Sequence, residues 1–250
     1  MKVRKRNGFI APRRIAHCSD IHLDGNDDHG GAACRDAFMR GLKAMRGHRP
    51  DILMIAGDLF DSNTATADTI QWAMETLGQQ PFPVVMIPGN HDCMEADAIY
   101  RRYDFNRIAN VDMLASEAGG VARYDGLGLA VWGKGMVDHS PDYSPLAGCW
   151  DRPADCRWYL GMGHGMFVPH GAYSDRSSPI HMREIEDSPC DYLALGHHHA
   201  AMELVSDKAA AAYCGSPTDT IGRGATYVIV DLPMDAAPAV TVHAIDLQDC

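Results

Sequence analysis

Ile52-Leu53-Met54-Ile55-Ala56-Gly57-Asp58-Leu59-Phe60-Asp61 is the stretch whose reading decides the fold. An apolar run too short for a helix breaks at Gly57 and delivers Asp58 at once, as a buried strand does when it ends at a sheet edge. In α/β proteins that edge is where ligands bind and chemistry is done.

The same design recurs four times. Arg14-Ile15-Ala16-His17-Cys18 runs into Ser19-Asp20-Ile21-His22, and Val84-Val85-Met86-Ile87 runs through Pro88-Gly89 into Asn90-His91-Asp92. Tyr159-Leu160-Gly161-Met162-Gly163 ends at His164, and Tyr192-Leu193-Ala194-Leu195-Gly196 ends at His197-His198-His199. Asp, Asn and His are ligands for borderline divalent cations. Taken singly, Asp58 or Asp20 reads as a turn carboxylate and His164 as a core histidine; five such strand ends in succession do not. Two cations held about 3.5–4 Å apart need a shared carboxylate, and Asp58 is the choice for it.

Between these ends the spacing is that of a parallel α/β domain with right-handed crossovers. Ala33, Ala37, Phe38, Leu42 and Met45 give an inward stripe to a helix over 32–47. A second helix over 65–77, capped by Ser62, Asn63 or Thr64, turns Ile70, Trp72, Ala73 and Leu77 inward. Residues 93–107 read as helical and 127–132 as a strand. The stretch 136–157, with three prolines, reads as a substrate-facing flap. Strands at 201–205, 210–213, 226–232 and 240–247, joined by short turns, imply antiparallel pairing.

Composition narrows the function. A length of 250 residues with 46% hydrophobic content suits one domain with a substantial core. The net charge of −11 argues against a broad basic surface for duplex nucleic acid, although bound cations reverse the field locally. Eight cysteines without a CxxC pair make a disulfide framework or zinc ribbon a poor fit. With neither signal peptide nor membrane span in view, the expected location is the cytoplasm. Residues 1–12 read as a basic flexible arm, with Lys2, Arg4, Lys5 and Arg6 and then Arg13 and Arg14 just beyond.

Asp20-Ile21-His22, Gly57-Asp58-Leu59-Phe60-Asp61, Gly89-Asn90-His91-Asp92, Gly163-His164 and Gly196-His197-His198-His199 resemble, in order and spacing, the five motifs of the calcineurin-like metallophosphoesterases. Ser19 to Leu23, Arg35 and Tyr213-Cys214-Gly215-Ser216-Pro217 make the chain most similar, within that superfamily, to the catalytic domain of the Mre11/SbcD-type DNA repair exonucleases. The resemblance implies a sandwich of two mixed β-sheets flanked by helices in four αββα layers, a single catalytic domain over 1–250 and no capping domain.

It also implies two divalent ions, Mn before Fe, Zn or Co. Asp20, His22, Asp58 and His199 would hold one, and Asp58, Asn90, His164 and His197 the other. A hydroxide bridging the ions would attack phosphorus in line while His91, partnered by Asp61, acts as the acid for the leaving alcohol. His198, between two ligands, is expected to be structural. The implied substrates are single-stranded or duplex DNA ends or a nucleotide; the implied partners are an SMC-like ATPase and a second copy. A small-molecule phosphatase or phosphodiesterase is the alternative, and a catalytically inactive interaction scaffold the alternative of another class.

Overall fold

Alternating strands and helices in the first hundred residues build the centre of one sheet, and the computed structural model, which describes residues 11–23, 31–206, 210–219 and 221–247, shows where each ends. β1 (Arg13–Cys18), β2 (Ile52–Ala56), β3 (Val84–Ile87) and β4 (Val111–Met113) pair in parallel, linked by α1 (Gly31–Gly47), α2 (Ala67–Gly78) and, after β3, the short α3 (Ile99–Arg102). The second sheet starts with β5 (Gly120–Tyr124), β6 (Leu129–Gly133) and β7 (Trp158–His164). Next come a small parallel pair, β8 (Met166–Val168) with β9 (Pro179–His181), and α4 (Met182–Glu186). The chain closes with β10 (Tyr192–Gly196), β11 (Ala201–Val205), β12 (Ala210–Cys214), β13 (Thr226–Leu232) and β14 (Ala239–Ala244). Sheet 1 has the order β14-β13-β1-β2-β3-β4 and sheet 2 the order β11-β12-β10-β7-β6-β5. Both are mixed: four strands of each pair in parallel, with antiparallel β13 and β14 added on one side of sheet 1 and antiparallel β11 and β5 at the two edges of sheet 2.

The unbroken apolar run of β2 is explained by burial on both faces. Ile52, Met54 and Ala56 meet Leu160, Met162 and Ala194 of sheet 2, whereas Leu53 and Ile55 face Phe38, Leu42 and Met45 of α1 and Ile70 and Leu77 of α2. Burying a side chain of the Leu or Phe class stabilises by roughly 1.5–3 kcal/mol, so these two faces hold β2 firmly. The outer face of sheet 2 is covered more thinly, by Ile185 of α4 and by Leu146. The layers are therefore α, β, β, α, as expected, with the last layer reduced.

Several local expectations change. α2 starts at Ala67 because Thr66 is the cap, accepting from Thr69 N at 3.2 Å, while Ser62 to Ala65 form their own turn. Ala33 is exposed and Trp72 only half-buried, so the buried stripes of α1 and α2 are narrower than the apolar pattern. Residues 93–98 are not helical: Met94 N donates to Met136 O, and Asn63 binds both Cys93 O and Ile99 N, so the backbone groups a helix needs are engaged elsewhere. The 136–157 stretch is irregular, as expected, but much of it packs on sheet 2 rather than forming a flap: Leu146 lies in the core and Arg152 pairs with Asp191 at 2.7 Å. β11 and β12 pair antiparallel, as do β13 and β14, but the two pairs belong to different sheets.

Arg13 and Arg14 are not part of a tail. They sit in β1 and pair with Asp51 at 3.2 Å and Asp231 at 2.7 Å. Residues 1–10, which carry the rest of the basic arm, lie outside the described residues, as does most of the loop over 24–31. No helix among the described residues is long and apolar enough to cross a membrane.

Candidate metal centre

β1, β2 and β3 of sheet 1 end level with β7 and β10 of sheet 2, where Gly196 is in register with His164. Beyond the strand ends, residues 20–23 run beside 57–61, joined by Ile21 N to Asp58 O at 2.8 Å and Leu23 N to Leu59 O at 2.9 Å. Gly57 has φ +94°, and a Cβ there would stand 2.3 Å from His164 Nδ1. A Cβ on Gly89 would stand 2.1 Å from Asp58 Oδ1. Both glycines are therefore required by the side chains they admit.

The seven side chains expected as ligands come together. Asp58 Oδ2 is 3.2 Å from His164 Nε2 and 3.8 Å from His22 Nε2, which puts this carboxylate between two imidazoles. On one side, His22 Nε2 faces His199 Nε2 at 3.2 Å, and His199 Nε2 is 3.7 Å from Asp20 Oδ1. On the other, Asn90 Oδ1 is 3.0 Å from His164 Nε2 and 2.8 Å from His197 Nδ1. His164 Nδ1 donates to Ala56 O at 2.8 Å, which turns Nε2 inward. Asp20, His22 and His199, and again Asp20, Asp58 and His164, have ligand atoms close enough to share one cation. Oxygen and imidazole donors without thiolate fit a borderline divalent ion.

The electrostatics fit as well. Burial pushes the Asp20 carboxyl up to about 7, with the Asp58 charge adding to it and His164 opposing. Burial also raises Asp58, but the charge and hydrogen bond of His164, together with His22 and His91, outweigh it and leave this carboxyl below the usual range. Burial alone would depress His164; Asp58 and then Asp20 hold it up at about 9 instead. The protein's own means of offsetting two buried carboxylates is thus a proton on His164, a charge that divalent cations would supply.

His91 is exposed at the rim, its backbone N–H donating to Asp58 Oδ1 at 2.9 Å. Its Nδ1 donates to the backbone carbonyl of Asp61 at 2.8 Å, with the Asp61 carboxylate 3.8 Å away. That carboxylate lies closer to His22 Nδ1, at 3.1 Å, so Asp61 reaches both histidines by different atoms. His198 turns aside and donates from Nδ1 to Ala200 O at 2.7 Å.

Some residues that shape the site were not singled out by sequence reasoning. Asp92 is fully buried and accepts from Leu59 N, Phe60 N, Gly89 N and Tyr100 Oη, which clamps the second and third motif turns together. Its signal is its place in Gly89-Asn90-His91-Asp92. Ser216 Oγ donates to Asp20 O at 2.7 Å and Thr218 Oγ1 to Ile21 O at 2.8 Å, which gives the Gly215-Ser216-Pro217 segment a supporting part. His139, near the rim, has its ring 5.6 Å from that of His197. Cys18 and Cys93 flank the site, but burial raises both thiols, Cys93 to about 11, so neither is a ready thiolate.

A family profile described as calcineurin-like phosphoesterase matches residues 13–201. The SbcD component of the SbcCD nuclease of Staphylococcus saprophyticus is 35% identical over 89 residues, 33% of this chain. The match spans only 23% of that relative's length. Among solved structures, TT1561 of Thermus thermophilus aligns with a TM-score of 0.62 at 13% identity, covering 94% of this chain and all of that one. A structure described as a novel archaeal phosphodiesterase aligns with a TM-score of 0.50 at 12% identity, covering 93% of this chain and 99% of that one. At such identities these structures speak to the fold.

Proposed function

From the premise that the chain belongs to the calcineurin-like phosphoesterases, we propose that it is a phosphodiesterase that works with two divalent cations and acts on nuclease-type substrates. The observation that carries this reading is the meeting of seven oxygen and imidazole donors from both sheets around Asp58. In this reading Asp20, His22, Asp58 and His199 hold one cation and Asp58, Asn90, His164 and His197 the other, with Mn the preferred metal. The cations supply Lewis-acid polarisation of the phosphoryl oxygens and a water acidic enough to serve as nucleophile at neutral pH.

The chain's own residues do the rest. His164 is held in one orientation by the Ala56 carbonyl, so its Nε2 points at the site and would ligate on giving up its proton. Asp61 O holds His91 Nδ1–H, and this directs the opposite nitrogen, Nε2, to carry the proton for the departing oxygen. The Asp61 carboxylate lies 3.8 Å from the same ring. Exposure of His91 leaves that nitrogen accessible to substrate.

With Mn, bis-p-nitrophenyl phosphate and single-stranded DNA are expected to be hydrolysed faster than p-nitrophenyl phosphate. The reverse order, or turnover of cyclic nucleotides alone, supports the small-molecule reading, which the net charge of −11 favours. His91→Asn should keep its metal and lose about 10²–10⁴-fold in kcat; full turnover by that variant overturns the role of His91. An SMC-like ATPase and a second copy of the chain are the partners that accompany the nuclease reading. An inactive scaffold is disfavoured by the intact donor set, and metal analysis that finds no ion after saturation with Mn would restore it.

A further inference from the structure

A groove of about 440 Å³ opens beside the candidate metal centre, with His197 and His199 in its wall. Its other walls come from two loops distant in sequence: Met166 and Arg176 from the β8–β9 region, and Ile221 and Arg223 from the connection between β12 and β13. Arg176 and Arg223 are both exposed, and among the described residues no carboxylate holds either guanidinium. Asp219, the nearest acid in sequence to Arg223, directs Oδ1 to the backbone N–H groups of Arg223 and Gly224 instead. In a chain of net charge −11, two guanidiniums that no described carboxylate holds make a local attraction for anions next to the site. Guanidinium forks match phosphate oxygens two at a time. In the same lining Ile221, 55% exposed, and the half-buried Met166 offer apolar surface of the kind on which a base can rest.

We infer that this groove binds the nucleotide adjacent to the one being cut: Arg176 and Arg223 take the neighbouring phosphate, and Ile221 and Met166 take its base. The inference rests on the phosphodiesterase reading above and names its substrate class, a nucleotide chain carrying at least one phosphate beyond the scissile one. A diester without a second phosphate leaves both arginines unused.

The test compares the thymidine dinucleotide TpT with the same dinucleotide carrying a 5′-phosphate or a 3′-phosphate, all with Mn. A terminal phosphate at one of the two ends should raise kcat/KM by about tenfold or more, the size of one well-placed charge-assisted contact. In the double variant Arg176→Ala/Arg223→Ala that advantage should fall to within about twofold, because the contact is gone. Equal advantage in both proteins, or no advantage in the wild type, overturns the inference. If the wild type cuts no diester with any metal, the catalytic reading fails separately. The groove is then judged by the fluorescence anisotropy of a fluorescein-labelled thymidine trinucleotide. Weaker binding by the double variant supports the groove, and equal or absent binding by both proteins overturns it.

Discussion

Asp20, His22, Asp58 and His197 all hold positive φ, between 53° and 96°, and they make up four of the seven non-glycine residues that do so among those described. Such backbone costs of order 1 kcal/mol or more per residue and persists only where the surroundings enforce it. Asp92 is one of the enforcers. Its two oxygens face N–H or O–H donors only, so Asp92→Asn must turn an amide NH₂ against at least one of them. We expect that near-isosteric change to cost about 2–3 kcal/mol in urea unfolding and to weaken metal retention. An unchanged midpoint would show that Asp92 is not the clamp. At this scale the motifs made the strand-end residues legible, because Asp, Asn and His after a glycine have few other reasons to recur. Which atom meets which was not legible: Asp61 was expected to serve His91 with its carboxylate, yet its backbone carbonyl makes the closer contact and the carboxylate leans to His22.

The strands of the two sheets were readable because each central one is buried on both faces and so is apolar throughout. The helices were readable in number but not in bounds. Ser62, Asn63 and Thr64 are all competent caps by type, and only the turn that Ser62 makes with Thr64 and Ala65 shows why Thr66 has the part. Thr66→Ala should destabilise by about 1 kcal/mol, seen as a lower thermal midpoint with the far-ultraviolet dichroism of the native state intact; the same change at Thr64 should fall within about 0.5 kcal/mol of wild type. Residues 93–98 misled for a different reason. Their composition suits a helix, but their donors and acceptors are taken by Asn63 and Met136, partners 30 or more residues away, which local periodicity does not report. The split of the last four strands between two sheets was hidden likewise, since turn signals mark hairpins and not the sheet they join.

Across the whole molecule, the apolar space between the sheets holds a histidine set against the phenol of Tyr192. His17 of β1 is fully buried with Nδ1 2.9 Å from Tyr192 Oη of β10, and burial pushes its imidazole down to about 3. In the unfolded chain the same group titrates near 6.5, as histidine ordinarily does. The unfolded state therefore gains a proton first on acidification. Stability tied to neutral His17 is complete above about pH 6.5 and drains as pH falls toward 3, by roughly 2 kcal/mol at pH 5. Urea midpoints taken from pH 7.5 to 5 should fall less steeply for His17→Phe than for the wild type, even though the variant begins lower for want of a partner to Tyr192. Identical slopes would mean that His17 is not the acid-sensitive group.

Four of the seven candidate ligands belong to sheet 1 and three to sheet 2. Apolar packing joins the two halves over most of their length, but at this end buried carboxylates and imidazoles meet, and the direct bonds from His164 Nδ1 to Ala56 O and from His197 N to Asp20 would be joined by whatever ions the ligands share. Chelation should accordingly let the sandwich part from that edge inward: amide exchange should quicken at the last residues of β2, β7 and β10 and stay slow at their first residues, while Mn raises the melting temperature.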